Sequence, residues 1–214
     1  MRKANNAIKE IVSKLEMLGR VHGTENTFRD WCECMAISID NSCNLLRGET
    51  YDRREQRYMD IQKRYEENPF PELFALLVNA FEDEPWKDHL GQVYMECFGG
   101  NKHLGQCFTP MSVSECCAGV VGVPEPEKVS TLYEPSCGGG AMIIAYLKEC
   151  FFAKYDYQRK LKIEAADLDS LCVHMCYTQL SLLGARAVVK VQNSITLQLF
   201  DVFVTPFERM APLV

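Results

Sequence analysis

The chain has 214 residues, 47% of them hydrophobic, and a formal net charge of −6. That length fits one sizeable domain or two small ones, with ample apolar material for a buried core. The acidic balance is the reverse of the basic surplus of a free-standing nucleic-acid binder, so contact with nucleic acid needs a local patch or a partner.

The N-terminus, Met1-Arg2-Lys3-Ala4-Asn5-Asn6, lacks the apolar stretch of a signal peptide, and no run of eighteen apolar residues occurs anywhere. A cytoplasmic protein with no membrane partner is expected. From Lys3 to Gly19, Ala7, Ile8, Ile11, Val12, Leu15 and Leu18 recur at helical spacing, with Gly19 placed as a C-cap. Thr24 is a good N-cap for the next stripe, Phe28, Trp31, Cys32, Met35, Ala36 and Ile39, which Leu45-Leu46-Arg47-Gly48 breaks. A charged helix over 51–67 mixes Arg53, Arg54, Arg57, Lys63 and Arg64 with Tyr51, Tyr58 and Tyr65. Such a face can track a phosphate backbone. The acids in the same stretch favour a solvated face of ion pairs. Pro71–Phe81 and Asp88–Phe98 complete a helical first region, residues 1–100.

Gly99-Gly100-Asn101-Lys102-His103 reads as the joint to a second region, residues 101–214. Thr109 followed by Pro110 is a strong start for a helix over Met111–Val121. The pattern then becomes strand and helix in alternation. Strands are predicted at Val129–Tyr133, Leu161–Ala166, Ala187–Val191 and Asp201–Val204, with helices after the first two and Gly184 as a C-cap. This alternation implies an α/β fold with a parallel sheet and a ligand at the strands' carboxyl ends. Eleven cysteines without a C-x-x-C pair read as reduced, mostly buried thiols. Cys32/Cys34 and Cys172/His174/Cys176 read as helix-face packing, and no metal is expected.

The most informative stretch is Tyr133-Glu134-Pro135-Ser136-Cys137-Gly138-Gly139-Gly140. A strand ends in an acid, three glycines let the backbone turn and let a ligand approach, and the next helix presents free N–H groups. The spacing matches neither the dinucleotide nor the P-loop pattern. The acid would repel a pyrophosphate but suits an amino-bearing ligand, which favours S-adenosylmethionine over NAD or ATP. Asp167, after the second strand, is placed to accept ribose hydroxyls, and Asn193, after the third, to bond an adenine edge.

Four segments resemble the amino-DNA-methyltransferase family, and in particular the modification (HsdM-type) subunits of type I restriction systems. Gly105-Gln106-Cys107-Phe108-Thr109-Pro110 is similar to that family's G-Q-F/Y-F/Y-T-P, and Glu134 to Gly140 to its D-P-A/S-C-G-S-G. Ala166-Asp167-Leu168-Asp169 is similar to its G-x-D/E-I-D/N, and Gln192-Asn193-Ser194 stands where it has G-D-S. The resemblance is specific from Leu104 to Ser194. It implies a Rossmann-like methyltransferase core with an incomplete sheet behind an all-helical N-terminal region. It also implies S-adenosylmethionine contacts at Phe108, Thr109, Pro110, Glu134, Pro135, Cys137, Gly138, Gly140, Asp167, Leu168 and Asn193, the last through its carbonyl oxygen.

The family's D/N-P-P-F/Y loop after the fourth strand holds the target base. Here Thr205-Pro206-Phe207 stands in its place and the Asn-Pro pair is absent. The expected function is N6-adenine methyl transfer to DNA of the restriction-modification type. DNA is bound weakly by this chain alone, and a specificity or other subunit, or a second copy, is a potential partner. The alternative is a non-catalytic S-adenosylmethionine-binding module that senses the cofactor or assembles with a DNA-binding partner. A small-molecule methyltransferase would account less well for the Gly105–Pro110 motif.

Overall fold

Leu161, Ile163 and Ala165, and Ala187, Val189 and Val191, put apolar side chains at every second position of two stretches. That period of two builds a sheet with one dry face and one wet face. The structure, a computed structural model describing residues 2–45, 47–99 and 108–211, shows such a sheet. Its strands are β1 (Ser130–Glu134), β2 (Leu161–Asp167), β3 (Arg186–Gln192) and β4 (Leu199–Val204), in the spatial order β1-β2-β3-β4. Ile163, Ala165, Ala187, Val189 and Phe203 are buried beneath helices α7 (Ala141–Phe152) and α9 (Ser170–Leu182). On the other face Lys190 pairs with Glu164, and Glu208 pairs with Arg186 at 2.9 Å and Lys162 at 3.6 Å.

The first three strands are parallel, as expected, but β4 runs antiparallel to β3, with Val188 opposite Val204 and Gln192 opposite Leu199. The sheet is therefore mixed, not wholly parallel as the alternation of strands and helices predicts. A parallel return needs a crossover of about a dozen residues or more, and only 193–198 separate the two strands. Asn193 closes the hairpin: its Oδ1 accepts from Ile195 N and Thr196 N at 3.0 Å, and its carbonyl from Leu197 N at 2.7 Å.

The helical region comprises α1 (Arg2–His22), α2 (Thr24–Cys43), α3 (Glu49–Gln62), α4 (Phe70–Asp83) and α5 (His89–Phe98). Gly19 lies inside α1 rather than capping it. A Cβ there would stand 2.3 Å from Thr24 Oγ1, and the turn falls to Gly23 at φ 82°. Helix α2 packs on α9, and one hydrophobic core runs from Ala4 through Trp31 and Leu73 to Phe203. Short helices α8 (Tyr157–Lys160) and α10 (Pro206–Met210) fill corners, and α6 (Met111–Val121) packs against α7. Among the described residues no helix is long and apolar enough to cross a membrane.

The basic side chains of α3 and the turn after it are each held by a carboxylate. Arg57 grips Glu33 at 2.8 and 2.7 Å, Arg64 grips Asp30 at 3.0 Å, Lys63 reaches Asp60 at 2.8 Å, and Arg53 reaches Asp201 at 3.3 Å. Arg54 is buried between Asp40 and Asp201 at 2.5 and 2.8 Å, donates to Val202 O at 2.7 Å, and lies 3.8 Å over the Phe203 ring. The ion-pair reading of this helix prevails over the phosphate-tracking one.

Candidate functional site

The carboxyl ends of β1, β2 and β3 lie side by side, and the loop after β1 is tied to its neighbours at almost every residue. Glu134 Oε1 accepts from Ser136 N at 3.1 Å, Ser194 Oγ donates to Pro135 O at 2.5 Å, and Cys137 N donates to Ala166 O at 2.9 Å. Gly138 N donates to Asp167 Oδ2 at 2.9 Å, while Asp167 Oδ1 accepts from Asp169 N at 3.0 Å. Gly138 and Gly140 take φ of 51° and 100°, which disfavour any side chain. Space is as restrictive as conformation. A Cβ on Gly138 would meet the Phe108 ring at 3.3 Å, and one on Gly140 would meet Cys176 Sγ at 3.2 Å.

A cavity of about 250 Å³ opens here, lined by Phe108, Thr109, Cys137, Gly138, Asp167 and Met142 among others. Five of the predicted cofactor contacts therefore meet at one place. Pro110 instead lines a larger cavity of about 740 Å³ on the other side of Phe108–Thr109, with Trp86, Met95 and Lys148. The smaller cavity is the one that carries the glycine turn and the strand-end carboxylate, so the site is placed there. Glu134, Pro135, Leu168 and Asn193 stand on the strand ends beside it, and Gly140 packs behind the turn. Asn193 Oδ1, expected to face an adenine amino group, is committed to its own turn. Leu104 to Cys107 lie outside the described residues.

Asp167 keeps accepting capacity towards the cavity beyond its two backbone contacts. A carboxylate offers about four lone-pair sites, and two are used by backbone N–H groups. The Cys137 thiol is pushed well up, first by its hydrogen bond with Cys176 and then by burial. Burial also pushes Cys172 up, so these thiols stay protonated and act as packing.

Three residues that sequence reasoning missed hold the site from behind. Gln179 of α9, fully buried, donates to Gly139 O at 2.6 Å and to Asp88 Oδ1 at 2.8 Å, and accepts from Leu90 N at 3.1 Å. Asp88 caps α5 by accepting from Gly91 N at 2.8 Å, and burial pushes its carboxyl pKa up. Arg29 of α2 grips Asp169 at 3.1 and 3.3 Å, fixing the corner between β2 and α9. An Asp directly before a helix was the available signal for Asp88.

Thr205, Pro206 and Phe207 are not brought to this site. Because β4 runs backwards, they emerge beside Ala187, at the amino end of β3, some five residues or roughly 17 Å from its carboxyl end. Thr205 is fully buried, its hydroxyl donating to Ala185 O at 2.7 Å and accepting from Ala187 N at 2.9 Å. Phe207 packs near Gly184.

Residues 86–203, more than half of the chain, match the family described as N-6 DNA Methylase. The chain belongs to that family. The match begins at Trp86, so it takes in Asp88 and α5 as well as the glycine turn. No curated protein matches this family member. Among solved structures it is similar to a modification subunit of a putative type I restriction enzyme from Vibrio vulnificus YJ016, at 16% identity and a TM-score of 0.41. The similarity covers 68% of this chain but only 28% of that one.

Proposed function

We propose that the pocket under Phe108 binds S-adenosylmethionine, and that the chain serves methyl transfer to the N6 amino group of adenine in DNA. The observation that carries this reading is the convergence of Phe108, Thr109, Gly138 and Asp167 on one cavity at the strand ends. Bound there, the cofactor would supply an electrophilic methyl group. The chain's own residues bind and orient it. Asp167 offers its two remaining lone pairs to the ribose hydroxyls, and Glu134 offers a carboxylate to the amino group. Phe108 covers the turn, and exposed Leu168 offers an apolar surface to the adenine plane. With its Oδ1 committed, Asn193 has its amide N–H groups as donors for a ring nitrogen.

The placement of Thr205–Phe207 favours a second reading alongside the first. As folded here the chain presents a cofactor pocket with no base-holding loop beside it among the described residues, so it acts as the cofactor-binding part of an assembly. The net charge of −6 and the carboxylate-paired arginines of α3 point the same way. DNA contact then depends on a partner such as a specificity subunit, in the cytoplasm where the DNA is.

Calorimetry and thermal shift with S-adenosylmethionine and S-adenosylhomocysteine test the cofactor reading. Both should bind with micromolar affinity, on the order of −8 kcal/mol. No heat and no shift at millimolar cofactor would overturn it. A tritiated methyl-transfer assay on DNA, with and without a partner, separates the two functional readings.

A further inference from the structure

We infer that Arg29 of α2 is a positioning residue for the proposed cofactor site, acting on the carboxylate of Asp167 by way of Asp169. The inference rests on the reading of the cavity under Phe108 as an S-adenosylmethionine pocket. Arg29 does not line that cavity but reaches it through a chain of hydrogen bonds. Its Nη1 and Nη2 donate to the two carboxylate oxygens of Asp169 at 3.1 and 3.3 Å. The Asp169 N–H donates to Asp167 Oδ1 at 3.0 Å, and Asp167 Oδ2 accepts from Gly138 N at 2.9 Å. One oxygen of Asp167 is thus set by the glycine turn, and the other by a corner that Arg29 holds.

The guanidinium is itself oriented for this contact. Glu25, one turn earlier on α2, accepts from its Nε at 3.4 Å, which leaves the Nη1–Nη2 fork to meet Asp169. A planar fork matches the two oxygens of a carboxylate, whereas an ammonium is a point charge. Asp169 is also the N-cap of α9, its Oδ1 accepting from Leu171 N at 2.9 Å. With the start of α9 and the fork of α2 on one carboxylate, Asp169 has little freedom to rotate. Neither has the N–H that it presents to Asp167.

The pair is not what docks the helix. Helix α2 packs along α9 with Phe28, Trp31, Cys32 and Met35 buried. The Arg29 side chain is 39% exposed and that of Asp169 23%, and an ion pair in such a setting adds little to stability. Its leverage is local, at the end of β2. Removing the fork leaves the fold in place and loosens one carboxylate, so the cofactor has to order what Arg29 had already ordered. Cofactor affinity therefore depends on how α2 sits on the sheet's helical layer. By linkage, a bound cofactor strengthens that seating by the same factor.

Calorimetry with S-adenosylhomocysteine on the full chain is the test. Arg29→Ala should weaken binding about three- to tenfold, the scale of ordering one side chain on binding. The melting temperature of the ligand-free chain should barely move. Asp169→Asn remains a good N-cap but loses the charge that the fork grips, so its affinity should fall to a similar extent. Combining it with Arg29→Ala should add nothing, and Arg29→Lys should fall between wild type and Arg29→Ala. The ribose separates positioning from a merely structural role. Wild type should bind the 2′-deoxy analogue of S-adenosylhomocysteine more weakly than the parent, and Arg29→Ala should narrow that gap. In an Asp167→Ala background, Arg29→Ala should change nothing further. Equal affinity of wild type and Arg29→Ala, or a loss that persists undiminished without Asp167, would overturn the inference while the pocket reading stands. A wild-type chain that binds no S-adenosylhomocysteine would overturn both.

Discussion

Gln179 donates to the Gly139 carbonyl at 2.6 Å from behind the glycine turn, and the same nitrogen reaches Asp88 at 2.8 Å. With Leu90 N on its oxygen, one side chain joins α9, the turn and the first residues of α5. Gln179→Ala leaves a buried acceptor, a buried donor and a half-buried carboxylate short of a partner. At about 1–3 kcal/mol for each such group, urea unfolding should show a loss of roughly 3–5 kcal/mol. Cofactor affinity should fall with the order of the turn. Gln179→Glu sets a second carboxyl beside Asp88, so its loss should ease as the pH is lowered and one proton is shared. A loss under about 1 kcal/mol for the alanine variant would mean the turn does not depend on Gln179.

Asp167 both shapes the turn, through Gly138 N at 2.9 Å, and offers the proposed ribose contact. Asp167→Ala should weaken S-adenosylmethionine binding by roughly 1.5–3 kcal/mol, the scale of one or two charge-assisted hydrogen bonds. Asp167→Asn keeps one acceptor oxygen and should lose less. Calorimetry distinguishes the two, and equal binding by wild type and alanine variant would move the ribose elsewhere.

What was legible in the sequence was local. Strands β1, β2 and β3 fall within a residue or two of their expected bounds, because each couples an apolar period to a nearby turn or cap. The glycine turn was legible for the same reason. The direction of β4 was written in the six-residue connection after Gln192, too short for a crossover, and the likeness of Thr205-Pro206-Phe207 to a known motif carries no information about strand direction. Gln179 was hidden. In α9 every residue from Leu171 to Leu180 is buried, since α2 and α5 pack on one side and the sheet on the other. A helix enclosed all round has no polar face, so a functional glutamine there cannot be told from a solvated one by periodicity.

His174 gives the fold a pH dependence. It is buried on α9, edge-on to Phe203 with ring centroids 5.3 Å apart. Burial lowers its pKa from 6.5 to about 4, with Arg54 pushing the same way and Glu33 and Asp201 opposing. Between those values the unfolded chain binds a proton that the folded chain refuses. The contribution is therefore fully present above about pH 6.5 and is lost as the pH falls towards 4, by up to about 3 kcal/mol. His89, also lowered by burial, acts in the same direction. Denaturant midpoints from about pH 7 to 4.5 should fall steeply for wild type and more gently for His174→Phe. Parallel curves would show that His174 is not the titrating group.

Thr205 separates a structural role from a catalytic one. Its hydroxyl and backbone N–H together hold Ala185 and Ala187 at the amino end of β3. Thr205→Val keeps the volume but strands the Ala187 N–H in the interior, a loss of about 1–3 kcal/mol. Cofactor affinity should stay unchanged, because the pocket lies at the other end of the strands. Phe207→Ala should likewise leave cofactor binding alone. Grafting Asn-Pro over Val204-Thr205, which on motif grounds alone should improve a base-holding loop, should destabilise the chain. A proline at position 205 removes both the hydroxyl and the N–H that donates to Ala187 O at 3.0 Å. Methyl transfer by the unaltered chain alone should be undetectable while cofactor binding persists. If Thr205→Val instead leaves the unfolding curve unmoved and abolishes a measurable transfer rate, then β4 must run the other way, carrying this loop to the glycine turn.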